Sequence, residues 1–199
     1  MAATGPARPA ESPSGGPGAR DRIVRAAVRL FRDRGINATG VAELAAAAHV
    51  SKRTLYRQFP SKDDIVVAYL RAFERDPGLI AEGALTRTDL TARARLLELF
   101  SALAEQDRPF RGCPFAAAAV ELADPSHPGH RFAAEHKRRF AEQLSELARE
   151  AGVRSAEPVG RRLALLYDGA AAQTAVLDSP EPTAEAFAVA AALLEAAIA

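Results

Sequence analysis

Apolar residues recur at helical spacing along almost the whole chain after residue 19. The first stripe includes Ile23, Ala27, Leu30 and Phe31, with arginines on the other faces and Gly35 after the last turn. Eight further patterns of this kind follow, and no alternating pattern of useful length predicts a strand. We therefore predict an all-α fold of about nine helices, over residues 20–34, 41–48, 52–59, 62–74, 90–106, 113–122, 130–151, 159–177 and 183–198.

Residues that start or stop helices support these boundaries. Ser51 stands where a serine side chain caps the third helix, and Ser61 with Asp64 is typical of a capping box at the start of the fourth. Prolines and glycines interrupt the later patterns. The predicted breaks are Pro77 with Gly78, Arg108 with Pro109, Asp124 with Pro125, Pro128 with Gly129, Gly152, and Pro180 with Pro182.

Composition then excludes several classes of protein. One cysteine in 199 residues excludes a disulfide framework, a structural zinc finger and an iron–sulfur cluster. No apolar run approaches the ~20 residues of a transmembrane helix, and the first residues lack the apolar region of a secretory signal. Residues 1–19 contain eight Gly or Pro and no Leu, Ile, Val or aromatic residue, which predicts a disordered tail.

Charge is distributed unevenly, although the formal net charge is only +1. Ten Lys and Arg stand against three acids between Arg20 and Lys62, so this segment carries +7 and the rest of the chain −6. A compact helical unit with this charge is typical of a surface that binds phosphate groups. An ordinary solvated helix face is the alternative for the arginines of the first helix, and the short helices that follow favour phosphate binding.

The second and third helices are short, and a tight turn over residues 48–51 joins them, which is typical of a helix-turn-helix. In the third helix Leu55 and Phe59, four residues apart, face inward with Val50. The residues left outward are of the types that contact base edges and phosphates in the major groove of DNA. They are Lys52, Arg53, Thr54, Tyr56 and Arg57.

This segment resembles the TetR family of transcriptional regulators. The resemblance covers residues 21 to about 70 and is carried by IVRAAVRLF at 23–31, VAELA at 41–45 and VSKRTLYRQFPSKDD at 50–64. Two positions depart from the family pattern. His49 stands where Gly is usual and is expected to adopt a left-handed turn conformation, and Gly40 stands where a hydroxyl residue is common.

The resemblance implies a domain order and a set of DNA contacts. A helix-turn-helix domain is expected over residues 20–66, the fourth helix leads on to about residue 76, and a ligand-binding and dimerisation domain covers 77–199. Family positions imply groove contacts from the third helix, phosphate contacts from Tyr56 and Lys62, and a hydroxyl from Thr39 in place of the one missing at Gly40. The predicted DNA-binding residues are Thr39, Lys52, Arg53, Thr54, Tyr56, Arg57 and Lys62.

The C-terminal half carries weaker signals. Bulky residues on Ala-rich helices are predicted to line an effector cavity, with an ordinary core as the alternative for each of them. The predicted pocket residues are Phe100, Leu103, Phe110, Cys113, Phe115, His136, Phe140, Tyr167 and Gln173. The last two helices, with small residues over 169–172, are implied to form the dimer interface through Leu163, Leu166, Ala170, Leu177, Phe187 and Leu194.

These features together predict a cytoplasmic, nucleoid-associated repressor that binds a palindromic operator as a homodimer and is released by a small, apolar molecule. An activator or a non-specific DNA-organising protein of the same fold is the alternative. No enzyme signature, cofactor site or matched metal-ligand spacing is found, so a hydrolase dependent on Cys113 is a remote alternative. A redox role for Cys113 requires an exposed thiol, whereas free cysteines are more often buried.

Overall fold

The computed structural model describes residues 18–76, 81–106 and 110–198. Within these ranges the backbone forms nine α-helices, a 3-10 helix over Ala81–Thr86 and no strand, which confirms the all-α prediction. Almost all of the predicted tail, and the predicted breaks at residues 77–78 and 108–109, lie outside them. The helices are α1 (Ala19–Arg34), α2 (Val41–Ala47), α3 (Lys52–Gln58), α4 (Lys62–Arg75), α5 (Ala92–Ala104), α6 (Pro114–Glu121), α7 (Pro128–Glu150), α8 (Ala156–Leu177) and α9 (Glu181–Ile198).

Local signals in the N-terminal part place its helix ends as expected. Gly35 follows α1 with φ of +89°, and its N–H donates to the carbonyl of Phe31. The hydroxyl of Ser51 accepts from the N–H of Thr54, and Ser61 and Asp64 form a reciprocal capping box. His49 has φ of +53°, so it does occupy the left-handed region in the turn between α2 and α3.

The helices after two of the predicted breaks begin two residues earlier than predicted. Pro128 and Gly129 are the first residues of α7, and Pro182 lies in the first turn of α9. Proline is tolerated in the first turn because the N–H it lacks would have no partner within the helix. The periodicity also missed the 3-10 helix over Ala81–Thr86, which is too short to establish a helical stripe.

The N-terminal core is built by more than the first four helices. Leu44, Leu55 and Phe59 are buried as predicted, together with the apolar face of α1 and α4. Phe115, Ala118 and Leu122 of α6 and its C-terminal end, and Ala133 of α7, belong to the same cluster. Consequently α6 and the first turns of α7 pack directly against the helices that carry the helix-turn-helix.

A second core lies among α5, α8, α9 and the remainder of α7. It contains Phe100, Phe140, Leu144, Leu163 and Leu194, all buried. The long helices α7 and α8 approach closely at Gly160, where an added Cβ would lie 2.4 Å from the backbone nitrogen of Ser145. Only glycine fits there without displacing α7, so this contact fixes the packing of the two helices.

Candidate functional site

The outward face of α3 presents the residues that the sequence predicts for DNA contact. Lys52, Arg53 and Arg57 are exposed, and none of these three cations is paired with an acid in the part of the chain that the structure describes. Tyr56 is 50% exposed, unusually open for a large aromatic residue, while Leu55 on the opposite side is fully buried. The helix is therefore anchored by one face and leaves a basic, hydrogen-bonding face to solvent.

Other cations of the basic segment are used inside the protein. The guanidinium of Arg20 lies 4.2 Å from the ring centre of Phe59 and donates to the carbonyl of Gln58, and Arg22 donates to the carbonyl of Ala48 at 3.1 Å. Lys62 donates to the carbonyl of Ile36 at 2.6 Å, and Arg34 pairs with Glu43. The net charge of +7 therefore overstates the positive charge that this segment can offer to a partner. Much of the positive charge that is still available lies on α3.

Thr39 does not lie where the predicted phosphate contact requires it. Its side chain is fully buried, and its hydroxyl donates to the carbonyl of Gly35 at 2.7 Å. This bond ties the loop after α1 to the end of that helix, so Thr39 has a structural role here. Thr54 is half-buried, and its hydroxyl lies 3.0 Å from that of Ser51 within the helix cap.

A cavity of about 380 Å³ lies between the end of α4, the 3-10 helix and α7. Glu82, His136, Phe73 and Phe140 line its inner part and are largely buried, while Thr86 and Gln143 are exposed at its rim. This volume falls within the range of about 300–1,000 Å³ that is common for small-molecule sites. Its lining residues are Phe73, Glu74, Glu82, Gly83, Thr86, His136, Arg139, Phe140 and Gln143.

A network of charged side chains forms the inner wall of this cavity. His136 lies between two carboxylates, with Nε2 at 2.8 Å from Glu82 Oε2 and Nδ1 at 3.2 Å from Glu74 Oε1. Arg139 also pairs with Glu74, and Lys137 donates to Asp168 at 2.7 Å. Charged residues of four elements, the 3-10 helix, α4, α7 and α8, therefore meet where a hydrophobic core would otherwise continue.

Burial and neighbouring charges act in opposite directions on Lys137. Burial by itself lowers its pKa, but the carboxylates of Glu82 and Asp168 act in the opposite direction, and the pKa of Lys137 lies above its ordinary value. Its ammonium lies 4.9 Å from the ring centre of Phe140. Lys137 therefore stays protonated, and its ammonium contacts the carboxylate of Asp168 and the ring of Phe140.

The nine predicted pocket residues fall into four groups. His136 and Phe140 line the large cavity, whereas Leu103, Phe110, Cys113 and Tyr167 line a narrow crevice on the other side of Glu82. Phe100 and Phe115 are fully buried packing residues, and the ring of Phe115 stacks on His136 with centroids 3.4 Å apart. The placement of Gln173 is contradicted, because it is exposed on α8 and reaches neither space.

Sequence reasoning missed the acidic half of the cavity. His136 was recognisable because it falls four residues before Phe140, on the apolar face of α7. Glu82 lies in the 3-10 helix, where no periodicity distinguishes an inward residue from an outward one. Within the described ranges, no group of three His, Cys, Asp or Glu residues is arranged to hold a metal ion.

Cys113 is the N-cap residue of α6, but its thiol is partly enclosed. Burial raises the pKa of the Cys113 thiol, and the nearby charge of Lys137 only partly offsets that effect. The neutral thiol is therefore favoured, which weakens the nucleophile that a hydrolase or a redox sensor would need.

Helices α8 and α9 each present apolar residues to solvent. On α8, Leu165, Gly169, Ala172 and Val176 are exposed and follow one another at spacings of three or four residues. On α9 the exposed residues include Phe187, Ala188, Val189 and Ala192. Contiguous exposed apolar surface of this kind is typical of a contact with another protein surface.

The predicted interface residues only partly match these exposed faces. Leu163, Ala170 and Leu194 are buried within their own chain, so they have no surface left for a partner, and Leu166 is half-buried. Leu177 and Phe187 are exposed. The sequence therefore placed three residues of the packed stripe in the predicted interface, because both stripes of these Ala-rich helices are apolar.

The end of α6 is hydrogen-bonded to the loop between α1 and α2. The carboxylate of Glu121 accepts from the N–H of Asn37 at 2.9 Å, and the side-chain amide of Asn37 donates to the carbonyl of Glu121 at 2.8 Å. An added Cβ at Gly35 would lie 2.9 Å from the same carboxylate. This contact joins α6 to the helix-turn-helix independently of α4.

A helix-turn-helix with an exposed basic α3, followed by a separate helical core, is typical of the class of DNA-binding transcriptional regulators. Residues 23–69 match the family model described as bacterial regulatory proteins, tetR family. A TetR transcriptional regulator of Streptomyces avermitilis has the same fold with a TM-score of 0.81 and 31% identity, covering 91% of this chain and 98% of that one. The chain belongs to the TetR family.

Two further comparisons agree with this assignment. A TetR-family regulator of Streptomyces coelicolor has a TM-score of 0.81 at 30% identity and covers 91% of this chain and 96% of that one. The transcriptional repressor KstR2 of Rhodococcus jostii is 36% identical over 89 residues, which is 42% of this chain and 44% of KstR2. The chain thus matches less than half the length of that repressor. No described helix is long and apolar enough to cross a membrane.

Proposed function

We propose that this regulator is a homodimeric repressor that binds a palindromic operator and is released by a small molecule. The exposed face of α3 is the single observation that carries the DNA-binding part of the proposal. It offers Lys52, Arg53 and Arg57 without acidic partners and holds Tyr56 open to solvent. Arginine and lysine on such a helix donate to guanine edges and phosphates in the major groove.

Two of the predicted contacts take a narrower form in this proposal. Lys62 supports the loop after α1 through Ile36, so its contribution to phosphate binding is combined with a structural one. Thr39 is omitted, because its hydroxyl is engaged inside the protein. The proposed DNA-binding set is therefore Lys52, Arg53, Thr54, Tyr56 and Arg57, with Lys62 at its edge.

The exposed apolar stripes of α8 and α9 support a two-fold dimer. A self-complementary pairing of these helices with those of a second copy would bury Leu165, Val176 and Phe187. Two α3 helices related by this symmetry would meet successive major grooves about 34–36 Å apart, which is the spacing of a palindromic operator.

The division of labour between the halves also belongs to the proposal. Residues 20–66 would read DNA, α4 would lead on to about residue 76, and 77–199 would hold the effector and the partner. Such a protein works in the cytoplasm, on the nucleoid. Release from DNA requires an effector that binds the released conformation more tightly than the DNA-bound one.

Selection of bound sites from a random DNA pool, using the full chain, tests the proposal. We expect a palindrome to be enriched and to be bound ~10³-fold or more tightly than random DNA, with an affinity that falls steeply as salt rises. Equal affinity for random and selected DNA would favour the DNA-organising alternative. Repression is then separated from activation by a reporter placed behind the selected site.

Tyr56 allows a sharper version of the test because its hydroxyl can be removed alone. Tyr56→Phe keeps the ring and should weaken binding to all sequences alike if the hydroxyl contacts a phosphate. Arg154→Ala, at an exposed cation between α7 and α8, is the matched control and should leave the affinity unchanged. An unaltered affinity for Tyr56→Phe at moderate salt would contradict the phosphate contact.

A further inference from the structure

The cavity between α4, the 3-10 helix and α7 has a chemical preference of its own. We propose that it binds a small organic cation, a protonated amine on an apolar body, with the amine at the carboxylate of Glu82. The apolar body lies beside Phe73 and Phe140, which line the same cavity. The regulatory consequence rests on the proposed function, whereas the binding itself depends only on the cavity.

Glu82 is the residue that carries this inference. Its side chain is only 10% exposed, and Oε2 faces Nε2 of His136. Oε1 is buried and has no hydrogen-bond partner within the ranges that the structure describes, since the ammonium of Lys137 is 3.7 Å away. The ion pair with Lys137 compensates the charge of this oxygen only in part, so a ligand N–H that reaches Glu82 would supply the hydrogen bond that the carboxylate lacks.

The charges around the cavity favour a cation over an anion. Glu74, Glu82 and Asp168 contribute three negative charges, and Lys137 and Arg139 contribute two positive ones, while the exposed Glu135, which also pairs with Arg139, adds a further negative charge at the edge. A cation therefore offsets an excess of negative charge in this cluster.

An anionic ligand finds no unused cation there. Arg139 is paired with Glu74 and with Glu135, and Lys137 is paired with Asp168. Binding an anion would break one of these pairs and leave a carboxylate without its partner in a partly enclosed space. The new ion pair with the ligand would therefore replace an existing one rather than add to it.

The shape of the cavity gives the ligand an orientation. Its inner end is formed by Glu82, His136 and the rings of Phe73 and Phe140, and its rim by Thr86 and Gln143. The amine and the apolar body therefore share the inner end, with the amine at Glu82 and the body beside Phe73 and Phe140.

The position of Glu74 links the site to the DNA-binding helices. Glu74 lies in the last turn of α4 and is held by Arg139 and His136 of α7. An amine beside Glu82 competes for the same group of charges, so binding changes how the end of α4 is held against α7. Because α4 follows directly after the helix-turn-helix, this is a short route from the cavity to α3.

Calorimetric titration of the full chain with three matched compounds tests the inference. Phenylbutylamine, phenylbutanol and phenylbutyrate share an aromatic body and differ in the charge of the end group. We expect the amine to bind about 10- to 100-fold more tightly than the alcohol, as for a hydrogen bond to a buried charge, and the carboxylate to bind most weakly. Tighter binding of the carboxylate, equal binding of all three, or no binding of any would overturn the proposal.

Glu82→Gln locates the amine. This variant keeps the shape of the side chain and removes its charge, so the advantage of the amine over the alcohol should largely disappear. Glu146→Gln, at an exposed glutamate of the same chain paired with Arg149, is the control and should preserve the ranking. An unchanged preference for the amine in Glu82→Gln would contradict the assignment.

Two features keep the outcomes separable. The ranking of the three compounds uses the unmodified chain, so it decides the question even if Glu82→Gln does not fold. Calorimetry needs no DNA, so failure of the amine to bind leaves the selection of operator sites unaffected. Conversely, failure to select an operator would refute the proposed function, but it would not change the result for amine binding in the cavity.

Discussion

The outward face of α3 and the cavity beneath α4 use charged residues in opposite ways. On α3, Lys52, Arg53 and Arg57 are exposed and lack acidic partners among the described residues. In the cavity, Glu74, Glu82, His136 and Arg139 pair with one another in a partly buried network, and one oxygen of Glu82 has no hydrogen-bond partner among the described residues. Charges on the first surface cost little in stability and are available to a partner, whereas those in the cavity are held by their neighbours.

This difference predicts which property a mutation in each region should change. Changes on α3 should alter affinity for DNA and leave the free energy of unfolding almost unchanged. Changes to residues that connect the cavity with the N-terminal core, such as Phe115, should lower the free energy of unfolding. Any loss of affinity for DNA should then follow from that loss of stability. The following predictions separate these two behaviours, beginning with the largest expected effect.

Phe115→Ala should strongly destabilise the protein. Phe115 is fully buried, stacks on His136 and lies edge-on to Phe73 with ring centres 6.4 Å apart. We expect the free energy of unfolding to fall by about 3–5 kcal/mol in urea denaturation. Val120→Ala, on the same helix at a position 80% exposed, should stay within ~0.5 kcal/mol. A fall of less than about 1 kcal/mol in the free energy of unfolding of Phe115→Ala would show that this ring does not hold the N-terminal core against the cavity.

Val176→Glu should disrupt the dimer without unfolding the subunit. Val176 is 80% exposed on the apolar stripe of α8, so a charge there is harmless in the monomer and costly in an apolar interface. We expect its dimer dissociation constant, measured by analytical ultracentrifugation, to rise by ~100-fold or more. Val120→Glu, equally exposed but on α6, is the control. A Val176→Glu protein that remains dimeric would remove this stripe from the interface.

Arg57→Ala should weaken operator binding by about 1–3 kcal/mol, if its guanidinium contacts a base. Its effect should be confined to affinity, because Arg57 is exposed in the last turn of α3. Fluorescence anisotropy with operator DNA measures the first quantity and urea denaturation the second. A matching loss of stability would show that α3 does not have the independence from the core that its exposure suggests.

The smallest expected effect is on the rate at which Cys113 is alkylated. The thiolate is the reactive form, and burial raises the pKa of Cys113 in the folded chain. Iodoacetamide should therefore react more slowly with the folded protein than with the urea-unfolded one at neutral pH, and the rate should rise at higher pH than in the unfolded chain. Because Cys113 is the only cysteine, mass spectrometry reports it directly. Faster reaction in the folded state would restore the redox interpretation.

The exposed face of α3 could be predicted from sequence because the residues that determine it are close together in the chain. Ser51, Leu55 and Phe59 fix the start and the buried side of α3, so the exposed residues follow from spacing alone. The cavity depends on contacts between distant segments, such as His136 with Glu82, which no local pattern records. The predicted phosphate contact of Thr39 has the same weakness, because the hydrogen bond between Thr39 and Gly35 forms only when the loop is folded.

The exposed apolar stripes of α8 and α9 were mispredicted for a different reason. Leu163 and Leu165 are equally hydrophobic, yet the first is buried and the second exposed. Hydrophobic periodicity finds the face of a helix that is packed only when the other face is polar. Where both faces are apolar, as on α8, the sequence predicts two buried surfaces and leaves open which one belongs to the subunit and which to its partner.

The placement of α6 limits how the parts of such a regulator can be exchanged. Phe115, Ala118 and Leu122 complete the hydrophobic cluster of α1 and α4, although they come some forty residues later in the chain. A hybrid that joins these first four helices to a foreign effector half would lose that cover, together with the bond between Asn37 and Glu121. A working hybrid must retain a matching α6, so the helices most free to diverge toward new effectors are those that never contact the first core.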